Sequence, residues 1–215
     1  MNSKSKKIVF LFGVLIILFP ILLAGNTLVT NENSSKLDRQ EFRDQMRKLW
    51  VDHSSLTRQF MISTVSNLPS QGEAAEHLNQ NQNEIGALFA LFYGEEAGDE
   101  LKKLLADHTA ISTTLFQAAG KADVQVFEES IMLWYDNGVQ IAEFLSDLNP
   151  ENWPPKETRP MLRTYLDLTL EQAVAYWNGY SSISGGAYQK VQDHAVTIAD
   201  VLSEGIINRF RHRFK

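Results

Sequence analysis

The chain has 215 residues, of which 44% are apolar and 21% charged, and it contains no cysteine. This length fits one domain with a short appendage, and the composition excludes collagen, low-complexity disorder and a disulfide scaffold. The absence of cysteine excludes a thiolate zinc site, a cysteine nucleophile, c-type haem attachment and an iron–sulfur cluster. Residues 26–208 carry 13 Lys and Arg residues against 26 acidic residues, which argues against nucleic acid as a partner.

The N-terminus indicates a membrane location. Three lysines precede an uncharged apolar run at 8–25, whose 18 residues approach the length of a membrane-spanning helix. Because lysines stand before the run and none directly after it, we predict a cytoplasmic tail at 1–7 and a single-pass anchor in the cell membrane at 8–25. The rest of the chain is then extracytoplasmic. The alternative is a signal peptide cleaved after Ala24, which would make the protein secreted.

An Asn-, Ser- and Thr-rich stalk at 26–37 leads into a body at 38–210 with a helical pattern. In the first predicted helix, apolar residues recur at spacings of three and four and therefore share one face. They are Phe42, Met46, Leu49, Trp50, Leu56, Phe60 and Met61. Leu68-Pro69 ends this helix, because the residue before a proline disfavours helical backbone.

Capping and turn residues delimit the next three helices. In chain order these signals are the capping-box pair Ser70 and Glu73, the stop Tyr93-Gly94, the C-terminal glycine Gly120, the N-cap Asp123 and the stop Asn149-Pro150. They predict helices at about 70–93, 95–119 and 123–149.

The last third of the body is less regular. A Pro-rich loop at 149–158 surrounds Trp153, which we expect to cover one end of the bundle. A helix restarts near Pro160, since proline suits a first helical turn, and we expect a bend at 167–169. The last helix then continues to about residue 210, and the segment 184–186, which contains two glycines, is its weak point.

These patterns predict an all-α fold, an antiparallel bundle of four or more long helices after an N-terminal membrane helix. We find no internal repeat and no alternating strand pattern. The basic tail at 211–215 is predicted to be frayed and solvated, and the alternative is a contact with anionic lipid or wall polymer.

Five polar residues are candidate metal ligands. His53 and His108 each have a leucine four residues before and an apolar residue three after, so both lie on the core-facing stripe of their helices. His194 lies on or near the stripe of the last helix. Counting from the helix ends places Glu84 and Asn137 at the depth of the first two histidines. Imidazoles and a carboxylate at one depth suit a divalent transition metal. The alternative is a buried layer of structural hydrogen bonds.

Other site types find little support. No histidine has the Glu-x-x-His spacing of carboxylate-bridged di-iron bundles, and no His-Glu-x-x-His metalloprotease motif is present. We predict no catalytic residue. Arg58 is expected to pair with Glu84 rather than to bind a free anion.

Several segments carry a family resemblance: Leu49-Trp50-Val51-Asp52-His53, Thr57-Arg58, Asn81-Gln82-Asn83-Glu84-Ile85-Gly86, Tyr93-Gly94, His108 and Asn149-Pro150-Glu151-Asn152-Trp153-Pro154. Over residues 45–207 the chain resembles an uncharacterised family of small bacterial helical proteins, some of which carry a loose glycosyltransferase label. The resemblance implies that His53, Arg58, Glu84 and His108 belong to the family pattern, and it implies no activity. A nucleotide-sugar enzyme would need an α/β nucleotide-binding core, and the chain has no strand pattern to build one.

The sequence therefore predicts a membrane-anchored, extracytoplasmic helical bundle that binds a metal ion or a small ligand in its core. The expected cofactor is a divalent transition metal, and the sequence favours a protein that is not an enzyme. The alternative is a structural or interaction protein at the outer membrane face, in which the His and Glu layer only orders the core.

Overall fold

The computed structural model describes residues 36–215. The predicted membrane anchor at 8–25 and residues 26–35 of the predicted stalk lie outside the described residues. The helices are α1 (Arg39–Val65), α2 (Gln71–Tyr93), α3 (Glu95–Lys121), α4 (Val124–Leu148), α5 (Pro155–Trp177) and α6 (Ser181–Arg209), followed by a 3₁₀ turn at Arg211–Arg213. No strand occurs among residues 36–215, and the predicted all-α bundle is confirmed.

The helices pack as antiparallel hairpins closed into a ring. Between one and six residues connect successive helices, so each helix turns back along the one before it. α6 packs against α1 and closes the ring. α1 also contacts α3 across the interior, and both reach α5. α1, α3 and α5 are therefore the inner helices, and they surround the centre of the bundle.

One continuous apolar cluster, to which all six helices contribute, forms the core. The largest fully buried side chains include Trp134, Trp153, Phe60, Phe89 and Phe116. Fully burying a side chain of this kind stabilises the fold by about 1.5–3 kcal/mol. Within residues 36–215, no helix is both long enough and apolar enough to cross a membrane.

The observed ends of the first four helices lie close to the predicted ones, with two differences in their caps. The Ser70 hydroxyl makes no capping hydrogen bond to α2. The left-handed residue after α3 is Ala122, with φ of 56°, and not Gly120. Gly120 instead permits a close helix approach, because a Cβ atom there would collide with the carbonyl oxygen of Val65.

The bend expected at 167–169 does not interrupt the helix there, and the expected weak point at 184–186 is also helical. α5 begins at Pro155 and runs through 167–169 without interruption. Thr169 does not cap a new helix, because its hydroxyl donates to the carbonyl of Tyr165, one turn earlier, across 2.8 Å. The chain breaks at 178–180, where Gly179 adopts a φ of 77°. The glycine-containing segment 184–186 lies inside α6, where the buried neighbour Ala187 packs into the core.

The C-terminal tail is ordered, so the prediction of a frayed end is wrong. Phe214 is only 2% exposed and stacks on Phe92, with ring centroids 5.7 Å apart. Leu37 forms a parallel backbone bridge with Phe214, which ties the two ends of the described chain together. At the same end of the bundle, Trp153 is fully buried and donates its indole N–H to the carbonyl of Val201, as expected for a residue that covers the bundle end.

Candidate functional site

His53 is held by a buried amide on the neighbouring helix. Its Nδ1 lies 2.9 Å from Oδ1 of Asn81, and Nδ2 of Asn81 donates to the carbonyl of Leu49 across 3.0 Å. Because a carbonyl can only accept, the NH₂ group of Asn81 must face Leu49, and the amide oxygen must face the imidazole. His53 therefore donates from Nδ1, and its Nε2 carries the free lone pair.

His108 repeats this arrangement in the next hairpin. Its Nδ1 lies 2.7 Å from Oδ1 of Asn137, and Nδ2 of Asn137 donates to the carbonyl of Leu104 across 3.2 Å. The same argument gives an Nδ1–H tautomer with an unprotonated Nε2. Within residues 36–215, no hydrogen bond reaches Nε2 of either ring.

Both imidazoles are neutral at pH 7. Burial lowers the pKa of His53 to about 4, and the hydrogen bond from Nδ1 to Asn81 opposes this only in part. Burial also lowers the pKa of His108 to about 4, and the nearby charge of a protonated His53 would lower it further. The rings are therefore close enough to influence each other's charge, and both present a lone pair instead of a proton.

The two histidines line a single cavity of about 40 Å³ at the centre of the bundle. The other lining residues are Trp50, Leu105, Gly138, Ile141, Leu162, Tyr165 and Leu166. A space of this size accommodates a water molecule, or a metal ion with one water. It is far too small for a haem or a nucleotide.

Two polar groups on the wall of this cavity lack hydrogen-bond partners in the described chain. They are the hydroxyl of Tyr165 and the indole N–H of Trp50, on side chains that are 6% and 5% exposed. The hydroxyl of Thr57 lies near Tyr165 but is also without a well-aligned partner. Burial raises the pKa of Tyr165, so the phenol is neutral. Buried polar groups normally find hydrogen-bond partners, and these two side chains line the cavity without a well-aligned one.

The structure brings together only part of the predicted site. Asn137 lies at the predicted depth, but it serves His108 as a hydrogen-bond acceptor. Glu84 is exposed and lines an open groove between α1 and α2, outside the cavity. The place expected for Glu84 is taken by Asn81, one helical turn earlier. His194 does not line the cavity, since its Nε2 donates to the carbonyl of Met161 across 2.7 Å.

Among residues 36–215, no group of three or more His, Asp and Glu side chains is arranged to hold a metal ion.

The predicted pair of Arg58 with Glu84 is wrong, because Arg58 faces α6, where its guanidinium lies 4.7 Å from the ring centroid of Tyr188. Arg58 is five positions after His53, so the two side chains leave α1 in different directions.

Asn81, Tyr165 and Trp50 were not among the predicted site residues. Asn81 follows Leu78 by three positions and precedes Ile85 by four, so it lies on the core-facing stripe of α2. This position on the helix could have identified Asn81 as a core residue from the sequence. For Tyr165 and Trp50 the sequence offers no such signal, because aromatic residues on a core stripe are ordinary.

Comparisons with known proteins found no matching family model, no matching curated protein and no matching solved structure. The family resemblance over residues 45–207 therefore stays a prediction.

Proposed function

We propose that this chain is a binding protein, and that its ligand is a divalent transition-metal ion held in the cavity between His53 and His108. One observation carries the proposal. His53 and His108, on different helices, each donate Nδ1–H to a buried asparagine, make no hydrogen bond through Nε2 among residues 36–215, and line one shared cavity. A fixed carbonyl oxygen on the second ring nitrogen is the partner that orients metal-bound histidines in general.

The type of donor narrows the choice of ion. Imidazole nitrogen suits zinc, copper, nickel and iron, whereas magnesium and calcium require oxygen ligands. Two protein nitrogens leave coordination positions open, unlike the four ligands of a structural zinc site. Cu²⁺ and Zn²⁺ are therefore the probes of choice.

The test is metal binding by the full chain after removal of bound metal with a chelator. Wild type is expected to bind one Cu²⁺ or Zn²⁺ per chain at pH 7 in equilibrium dialysis with elemental analysis. A His53→Gln/His108→Gln double variant is expected to bind none while its circular dichroism remains helical. The control is His77→Gln/His194→Gln, which removes two histidines outside the cavity and should retain the metal.

The alternative is a structural layer without a ligand. It is favoured by the way Asn81 and Asn137 each connect a histidine to a leucine carbonyl, which fixes the register of a hairpin. Only a binding site raises the melting temperature with added metal, since a ligand that binds the folded state stabilises it by RT ln(1 + [L]/Kd). Wild type with neither bound metal nor a shifted melting temperature for Zn²⁺, Cu²⁺, Ni²⁺, Fe²⁺ and Mn²⁺ would leave the structural layer as the explanation.

We also propose that residues 8–25 anchor the bundle in the cell membrane, with the bundle on the outer side. The support is the uncharged 18-residue run after three lysines. The expected result is a membrane fraction released only by detergent, with an intact mass that includes the first 24 residues. A mature chain that begins at Gly25 would identify a cleaved signal peptide and a secreted protein.

A further inference from the structure

The same three-residue unit occurs in each of the three helical hairpins. In every unit, a backbone carbonyl on the inner helix precedes a polar or aromatic side chain by four positions. A side chain on the outer helix then donates to that carbonyl. The units are Leu49, His53 and Asn81 in α1–α2, Leu104, His108 and Asn137 in α3–α4, and Met161, Tyr165 and His194 in α5–α6.

The spacings show that these units correspond. The donor follows the carbonyl by 32, 33 and 33 residues. The hairpins themselves span residues 39–93, 95–148 and 155–209, which are 55, 54 and 55 residues. A buried isoleucine follows the outer-helix donor by four positions in all three hairpins, as Ile85, Ile141 and Ile198. The absence of an internal repeat that we inferred from the sequence is therefore wrong.

Each of the three inner helices lines the cavity with the same two positions, and Leu166 of α5 with Gly138 and Ile141 of the outer helix α4 complete its lining. The two positions lie three residues apart and are Trp50 and His53 in α1, Leu105 and His108 in α3, and Leu162 and Tyr165 in α5. Tyr165 thus occupies in α5 the position that His53 occupies in α1 and His108 occupies in α3. Its hairpin carries His194 where the others carry asparagine, so no outer-helix amide holds the Tyr165 hydroxyl, which lies near the hydroxyl of Thr57.

We infer that residues 39–209 are three related hairpins around an axis through the cavity, and that Tyr165 is the third metal ligand beside His53 and His108. The metal identity rests on the function proposed above, whereas the equivalence of the three positions does not. The bound ion would be held by two imidazole nitrogens and one phenolate oxygen. On binding, the phenol hydrogen leaves to solvent as a proton, and the oxygen lone pair takes its place on the metal.

This donor set has a spectroscopic consequence. A phenolate bound to Cu²⁺ gives a ligand-to-metal charge-transfer band in the visible spectrum, which two imidazoles and water do not. Wild type loaded with Cu²⁺ is expected to show this band. Tyr165→Phe is expected to lose the band and at least about tenfold in Cu²⁺ affinity. Tyr135→Phe is the matched control, because its hydroxyl bonds Asp167 outside the cavity and its loss should change neither quantity.

A second variant builds the missing unit. Tyr165→His/His194→Asn gives the third hairpin the histidine and asparagine of the other two, and so places a third imidazole on the axis. It is expected to bind Zn²⁺ at least about tenfold more tightly than wild type does, because three imidazoles are a familiar zinc ligand set. The His194→Asn single variant is the control and should not gain affinity.

The outcomes separate the two proposals. If wild type binds metal but Tyr165→Phe keeps both the band and the affinity, Tyr165 is not a ligand and this inference is overturned. If wild type binds no metal while the double variant binds Zn²⁺, the three positions converge, but the function proposed above fails. If neither protein binds metal, both proposals are overturned.

Discussion

His108 donates its Nδ1 hydrogen to Oδ1 of Asn137 across 2.7 Å, although 29 residues separate the two in the chain. The bond joins the inner and outer helices of one hairpin. Asn137 also returns a hydrogen bond to the carbonyl of Leu104, so both halves of a buried amide are satisfied. Buried polar groups tied in this way stabilise the fold only while every partner is present.

Replacing Asn137 should therefore lower the free energy of unfolding by more than the loss of one hydrogen bond would. In Asn137→Leu, the Nδ1–H of His108 loses its acceptor in the core, and the carbonyl of Leu104 loses the donor that Asn137 supplied. We expect the free energy of unfolding in urea to fall by about 1–3 kcal/mol. Asn83→Leu, at an exposed position of α2, should change it by no more than about 0.5 kcal/mol. Equal losses in the two variants would contradict a special role for the buried amide.

Stability should fall with acid through the two core histidines. Their pKa is about 4 in the folded protein, against an ordinary value of 6.5, so the unfolded chain binds more protons between these values. The free energy of unfolding therefore decreases as pH falls from 6.5 towards 4, by on the order of 3 kcal/mol for each ring. The measurement is urea unfolding at pH 7 and pH 4.5. The His53→Gln/His108→Gln double variant controls for the carboxylates and should lose much less than wild type.

Two glycines in α6 should respond to alanine with opposite signs. A Cβ atom at Gly205 would collide with Nε1 of the buried Trp153. Gly205→Ala should therefore lower the free energy of unfolding by about 1–3 kcal/mol. At Gly185 a Cβ atom would have no neighbour within 4 Å, so Gly185→Ala should stabilise the helix by about 0.5–1 kcal/mol. Thermal unfolding of both variants decides the matter, and a Gly205→Ala protein as stable as wild type would contradict the close indole contact.

The C-terminal phenylalanine should behave as a core residue. Phe214 packs between Phe42 and Phe92, with ring centroids 5.2 and 5.7 Å away. Phe214→Ala should lower the free energy of unfolding by about 3–5 kcal/mol. His212→Ala, two residues earlier and exposed, should leave it within about 0.5 kcal/mol of wild type. If the tail were frayed, neither substitution would matter.

Access to the central cavity should depend on Leu166. Gly138 and Leu166 line both this cavity and a surface pocket of about 150 Å³ between α4 and α5, so they form the wall between the two. We expect Leu166→Ala to accelerate deuterium exchange at the imidazole C2 positions of His53 and His108 by about tenfold. The measurement is mass spectrometry of the full chain in heavy water.

Leu162→Ala is the control for that experiment. Leu162 is similarly buried on the same helix and lines the central cavity, but it does not line the surface pocket. It should accelerate the exchange far less. Equal acceleration in both variants would indicate general loosening of the core and not a passage past Leu166.

Periodicity and capping predicted much of the fold, because the first four helices have strong apolar stripes and clear stop residues. The errors lie where local signals compete with packing. The segment 184–186 contains two glycines, and Thr169 begins a capping-box pattern, yet both lie inside helices that tertiary contacts maintain. The true break at 178–180 carried only one glycine as a signal.

The candidate site shows what residue spacing can and cannot predict. The stripe positions of His53 and His108, and the depth of Asn137, followed from counting along helices. Glu84 was misplaced by one turn, because counting from uncertain helix ends cannot distinguish Asn81 from Glu84. The repeat went unnoticed although Leu-x-x-Asp-His occurs twice, 55 residues apart, at Leu49–His53 and Leu104–His108. Its third copy shares no residue with this motif, and only the hydrogen bonds, the spacing of the buried isoleucine and the cavity lining relate it to the others.

The bridge between Leu37 and Phe214 makes the order of the helices cyclic. Because α6 packs against α1 and the two ends of the described chain meet, the bundle at 36–215 has no structurally required first helix. In a variant that begins at Lys36, a short linker from Lys215 to Lys36 would close the polypeptide into a circle, which could be reopened at the exposed connection 66–70 or at 178–180. Such circular permutants would place the chain ends of the same three hairpins at the opposite end of the bundle, and the central cavity would keep all of its walls.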